Sequence, residues 1–179
     1  MSDEATAAGT LPAPRIARIV AAATRWLLGA VLLGMVLLNV ANAMCRYLFS
    51  IVLIGADEVL VYAMIWTVMI GMILVTIDDR HIALDFLVNR LSQRPRRALL
   101  MLHHIVIAAG CTYATVQSLE FTMRVAAIGQ TSMALGFPMV YPHSALVVGF
   151  AGTALVAALL VIGDGMALAS TRVGTRDGG

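Results

Sequence analysis

The stretch IGADEVLVYAMIWTVMIGMILVTI, Ile54–Ile77, decides the fold. After Asp57 and Glu58 no charged side chain appears until the stretch ends. A bilayer core takes ~20 mostly apolar residues per helix, and this block supplies them. Working outward, three more blocks qualify: Trp26–Cys45 before it, Ala98–Leu119 and Pro138–Gly163 after it. Mean hydropathy is +0.91 and only 12% of residues are charged. In an ordinary soluble domain about a quarter are. The expected fold is therefore an all-α integral membrane protein with four transmembrane helices in one compact bundle. The 179 residues leave no second domain and show no internal repeat. The expected boundaries are a disordered cytoplasmic tail at 1–24, a membrane domain at 25–164 and a C-terminal cytoplasmic tail at 165–179. The tail reading is firmest for residues 1–14, which are rich in Ala, Thr and Pro.

The basic residues set the expected orientation. The chain has no Lys, so all twelve basic residues are Arg. With the N-terminus inside, Arg15, Arg18 and Arg25 precede the first span. Arg80, Arg90, Arg94, Arg96 and Arg97 then lie between spans two and three, and Arg172 and Arg176 follow span four. Only Arg46 and Arg124 fall outside, so the positive-inside rule predicts both termini in the cytoplasm. A rival reading takes Arg25, the apolar run and the ANA of Ala41–Ala43 as a signal peptide. Its basic region would be unusually long. The net charge of +2 gives no reason to expect nucleic acid as a partner.

Between spans two and three, RHIALDFLVNRLSQRPRR (Arg80–Arg97) interrupts the apolar chain. Leu84, Leu87, Val88 and Leu91 recur at helical spacing, with Asp85, Asn89, Ser92 and Gln93 opposite. Ile82 and Phe86 lie off the stripe. The segment is too short and too charged to span. Such a helix lies in the interface plane, its arginines near lipid phosphates, so membrane lipid is an expected partner. Pro95 should end it, with the third span starting at Arg96. An ordinary solvated loop is the plainer alternative.

Several residues could carry a structural or binding role. Asn39 and Asn42 share a face of the first span, and amides in lipid are costly unless they meet protein. Tyr47 and Phe49 suit the aromatic belt at the membrane boundary. Asp57 and Glu58 favour a helix N-terminus through its dipole. Arg46 and Glu58 lie at the same boundary, which makes an ion pair between spans one and two a candidate. Glu120 and Arg124 are spaced as a favourable i, i+4 pair, and Gly129 is a plausible helix stop. Thr67, Thr112 and Thr115 are the main polar groups inside the later spans, and such hydroxyls commonly bond to their own backbone. Cys45 and Cys111 read as inert buried thiols. His103 and His104 start span three, whereas His143 starts span four at the other side. One haem cannot bridge a separation on the order of 20 Å. His81 with His103 is a weak metal signal. No Gly-rich phosphate loop, GxSxG or HExxH occurs, so no cofactor and no enzymatic activity are expected. Broken helices with midplane polar groups, the mark of a self-sufficient carrier, are not evident either.

The chain resembles the small, Q-type membrane subunit of the tripartite ATP-independent periplasmic (TRAP) transporters. The similarity covers roughly Trp26 to Gly163. It rests on an ordered set: RYLF from Arg46, the acidic pair Asp57–Glu58, Trp66, Gly71, and RHIALDFLVNRL with His81 and Asp85. The family commonly opens the second span with two glutamates, and here the first is Asp57. The resemblance implies a scaffold subunit in the bacterial inner membrane. It would associate with a large permease subunit that holds substrate and sodium sites and moves elevator-fashion. A periplasmic binding protein would deliver the substrate, often an organic acid. Under this reading Arg46, Tyr47, Glu58, Trp66, Gly71, His81, Asp85, Asn39 and Asn42 are structural or subunit-interface residues. Two other classes compete: a membrane-anchored redox subunit of cytochrome type, and a stand-alone small channel or exporter.

Overall fold

The computed structural model of the chain describes residues 15–51, 53–78 and 93–173, with side chains over 19–51, 53–78 and 99–166. Four helices make the fold: α1 (Arg15–Phe49), α2 (Ala56–Ile77), α3 (Gln93–Ala127) and α4 (Val140–Val173). Each is long and apolar enough to cross a bilayer. At 1.5 Å per residue α2 is about 33 Å long, close to one hydrocarbon core. The other three are longer by half.

The helix ends correct three expectations. Helix α1 begins at Arg15 and α4 runs to Val173, so 15–24 and 165–173 are helical where tails were expected. A helix nucleated in lipid extends through good formers at one hydrogen bond per residue, and Ala-rich flanks such as Ala21–Ala23 offer nothing to stop it. Helix α3 starts at Gln93 and takes Pro95 into its first turn. Proline's missing N–H costs nothing there. The interfacial helix expected over Arg80–Gln93 falls on residues 79–92, outside the described residues, apart from Gln93.

The helices do not close into a bundle, which corrects the compact arrangement expected above. Among the described residues α1 packs on α2, α2 on α4 and α4 on α3, and no other pair of helices meets. The result is an open row in the order α1, α2, α4, α3. Lipid tails are as apolar as leucine, so no hydrophobic pressure forces four helices around one core. Specific seams suffice, and α4 has them on two sides. Ala145, Gly149, Thr153 and Ala157 recur every fourth residue along it, and all four are buried. Against α2 the approach is close. A Cβ on Gly149 would lie 2.7 Å from Cβ of Met69, and one on Gly152 would lie 2.5 Å from Cδ1 of Ile73. The order of these contacts makes α2 and α4 parallel neighbours, with α3 crossing back between them in sequence.

Candidate functional site

The polar groups gather at the two ends of the row. At one end Arg25 of α1 reaches Asp78, just past α2, with Nη2 at 2.6 and 2.9 Å from the two carboxylate oxygens. At the same end Nδ1 of the buried His104 on α3 lies 3.0 Å from Oδ2 of Asp164 on α4. These contacts tie the helices pairwise where the spans emerge. Neither was read from the sequence. The signal was present: an acid near one end of an apolar span, and a basic or imidazole group at the matching end of another.

The opposite end is built around Glu58 in the first turn of α2. Its carboxylate accepts hydrogen bonds from the backbone N–H of Ala134 at 2.9 Å and of Leu135 at 3.2 Å. Both belong to the connection between α3 and α4. That connection is itself ordered. Ser132 N–H donates to the Phe137 carbonyl at 2.8 Å, and Phe137 N–H donates back to Ser132 Oγ at 3.1 Å. A single bridge pairs Thr131 with Pro138, and Gly129 and Gly136 take positive φ of 62° and 64° at the turns. On the α2 side, Gly55 has φ 85°, and a Cβ there would run into the side chain of Leu135. Tyr62 adds a ring 6.2 Å from Phe137 and its hydroxyl 3.3 Å from the sulfur of Met139.

The expected Arg46–Glu58 pair is therefore not formed. Glu58 spends its acceptors on the α3–α4 connection, and the exposed Arg46 makes no ion pair among the described residues. The reason is reach. Fixed backbone N–H groups from a neighbouring turn already meet Glu58, and Arg46 stays exposed. The clamp between α1 and α2 at this end is instead the buried Asn42, whose Nδ2 donates to Asp57 at 3.3 Å.

The other candidates separate. Asn39 is exposed and lines an open groove of about 440 Å3 with Leu32, Met35, Val36, Leu60 and Met64. Trp66 and Gly71 are half-buried along α2, and a Cβ on Gly71 would meet nothing within 4 Å. Whatever Gly71 makes room for is not within this chain's described residues. Tyr47 is exposed. His81 and Asp85 lie outside the described residues. As expected, Glu120 and Arg124 pair at 3.6 Å, and the helix stops just before Gly129. Thr67, Thr112 and Thr115 donate to the carbonyls four residues back. Cys45 and Cys111 are free. His103 and His104 lie near the start of α3, while the His143 ring packs at the opposite end, edge-on to Phe121.

Four spanning helices joined in an open row, with polar contacts concentrated at their ends, define a multi-pass α-helical membrane protein. Residues 35–164 match the family model for tripartite ATP-independent periplasmic transporters, DctQ component. The match covers most of the chain, and the chain belongs to that family: it is a small membrane subunit of a TRAP transporter. A search of curated proteins finds no match.

Proposed function

We propose that the chain is a non-enzymatic scaffold subunit of a sodium-coupled importer in the bacterial inner membrane. It associates with a large permease subunit that carries the transport site, and a periplasmic binding protein delivers an organic acid to the pair. Both termini lie in the cytoplasm, so Arg25, Asp78, His104 and Asp164 mark the inner end, and Glu58 with the α3–α4 connection marks the outer end.

The observation that carries this reading is the open row. A row exposes two broad faces and two edges to its surroundings. Asn39 lies in the open groove between α1 and α2, and Gly71 faces open space on α2. Polar and small groups at membrane depth favour contact with protein over contact with lipid. The α1–α2 face, with Asn39 and Gly71, is where the large subunit sits. The test is reconstitution in liposomes under an inward sodium gradient, supplying this chain, the large subunit and the binding protein together or one fewer at a time. Uptake is expected only with all three. Uptake by this chain alone would make it a carrier and end the scaffold reading.

A further inference from the structure

The two connections at the Glu58 end of the row carry no charge of their own. No Asp, Glu, Lys or Arg occurs from Tyr47 to Ala56, and none from Val125 to Gly163. Large apolar side chains are exposed there all the same. Phe49 ends α1, Ile54 precedes α2, Ile128 follows α3 and Tyr141 stands in the first turn of α4, and each is more than half exposed. Met133, in the α3–α4 connection, is fully exposed. An apolar collar thus runs around the ends of all four helices. Exposed apolar surface that is continuous in this way marks contact with protein or with membrane.

The backbone of the α3–α4 connection is satisfied from within. Gly129, Gln130, Ser132, Ala134, Leu135 and Phe137 each place the N–H on an acceptor of this chain, two of them on Glu58. A connection in water has no need of that, since water bonds its backbone and its side chains are free to be polar. Backbone that leaves water has to bring its own partners. The acids at this end are also spent inside the chain: Asp57 accepts from Asn42, and Glu58 from the connection. Arg46 and Arg124 stand exposed on the helices, and a guanidinium on so long a stem reaches phosphate level from below.

We propose that this end of the row is set into the bilayer, with both connections at the boundary of headgroups and acyl chains and phospholipid packed on the collar. Three observations single out lipid. The collar belongs to all four helix ends, and a protein partner covers one side of a row whereas lipid surrounds it. It continues the apolar surface of four helices long and apolar enough to cross a membrane. It carries no charge, so it suits the level of the ester and acyl carbons, below the phosphates. A soluble protein that docks and leaves needs the more polar surface of a transient interface. Helix α2 has the most to gain. Its 22 residues only just cross one hydrocarbon core, and a seated collar holds its first turn, with Glu58, at the boundary.

The experiment uses the assembled transporter in lipid vesicles, with Cys45→Ser and Cys111→Ser as background. Ile54→Cys, Ile128→Cys or Met133→Cys is added on the collar, or Leu155→Cys on an exposed position inside the α4 span, and each carries a small thiol-linked fluorophore. These side chains are exposed, so the replacements leave the packing between helices intact. Two quenchers are compared: phospholipid brominated on acyl carbons close to the ester, and iodide in the water. At the collar positions the brominated lipid should lower fluorescence about twofold or more, as for a surface buried to that level. Iodide should quench them several-fold less than it quenches the same dye on free cysteine. Leu155→Cys, set deeper, should respond more to bromine placed farther down the chain. Iodide quenching equal to that of the free dye would put the collar in water, and shielding from iodide without quenching by the brominated lipid would put it under protein. Either result would overturn the proposal.

Discussion

At the scale of the residue, Glu58 shows how one carboxylate decides which elements are joined. The expected partner was a charge on α1, and the actual partners are two backbone N–H groups of the α3–α4 connection. Side-chain reach and backbone geometry decided this, and neither is written in the spacing of charges along a chain. Glu58→Ala should therefore loosen the connection between Thr131 and Pro138. Limited chymotrypsin digestion checks it: cleavage after Met133 or Leu135 should rise severalfold, while Arg46→Ala leaves it unchanged. Equal sensitivity in the two variants would restore the Arg46–Glu58 pair. Gly55 makes a second test at this scale. Gly55→Ala faces both a left-handed backbone, which costs a side-chain-bearing residue ~1–2 kcal/mol, and a collision with Leu135. The purified protein should melt several degrees lower, and Leu135→Ala on top should return part of that loss.

At the scale of the element, the four spans were legible because length and apolarity alone define them, and the bilayer enforces both. The residue-level bonds of Thr67, Thr112 and Thr115 were legible for the same kind of reason, since a helix brings its own acceptor. Less legible were the seams. Ala145, Gly149, Thr153 and Ala157 carry a readable every-fourth-residue signal, yet small residues announce closeness without naming the neighbour. That Gly149 meets Met69, and not a residue of α3, is a fact of tertiary arrangement. Gly149→Leu should drive α2 from α4. Overpacking of this kind costs typically ~1–3 kcal/mol, and a matching drop in melting temperature in detergent is the measurement. Gly71→Leu, facing open space, should leave the melting of the isolated chain nearly unchanged while weakening its co-purification with the large subunit. If both variants melted alike, the α4 seam would not be what joins these helices.

At the scale of the whole molecule, the proposed orientation rests on the arginines and not on the packing. Ten of twelve lie on the side of the termini and of the segment between α2 and α3. A cytoplasm-active reporter fused after Gly179 should be active, and a periplasm-active one should be active in the α3–α4 connection near Ser132; the reverse pattern would invert the molecule. The row itself was not foreseeable from four interchangeable apolar blocks. In water, burial would have favoured closure around a core, and in lipid it does not. Trp66→Ala tests the scaffold reading: association with the large subunit should weaken and uptake fall with it, at unchanged sodium stoichiometry in any complex that survives. An intact complex with altered stoichiometry would place this chain in the transport site.

The parallel pairing of α2 with α4 sets an order of manufacture. When α1 and α2 have been made and have settled as an antiparallel pair, the residues on α2 that will receive Gly149 and Gly152 face lipid, and Glu58 has nothing to hold. Those places stay vacant until α3 has crossed the bilayer, because only then can the chain return for α4 to run beside α2. The fourth of these spans to leave the ribosome is thus the one that sits in the interior of the row, between two helices already in place. A nascent chain halted before Val140 would leave α3 without the only helix it touches among the described residues. Quality control in the membrane could distinguish a finished subunit from an unfinished one by that contact alone.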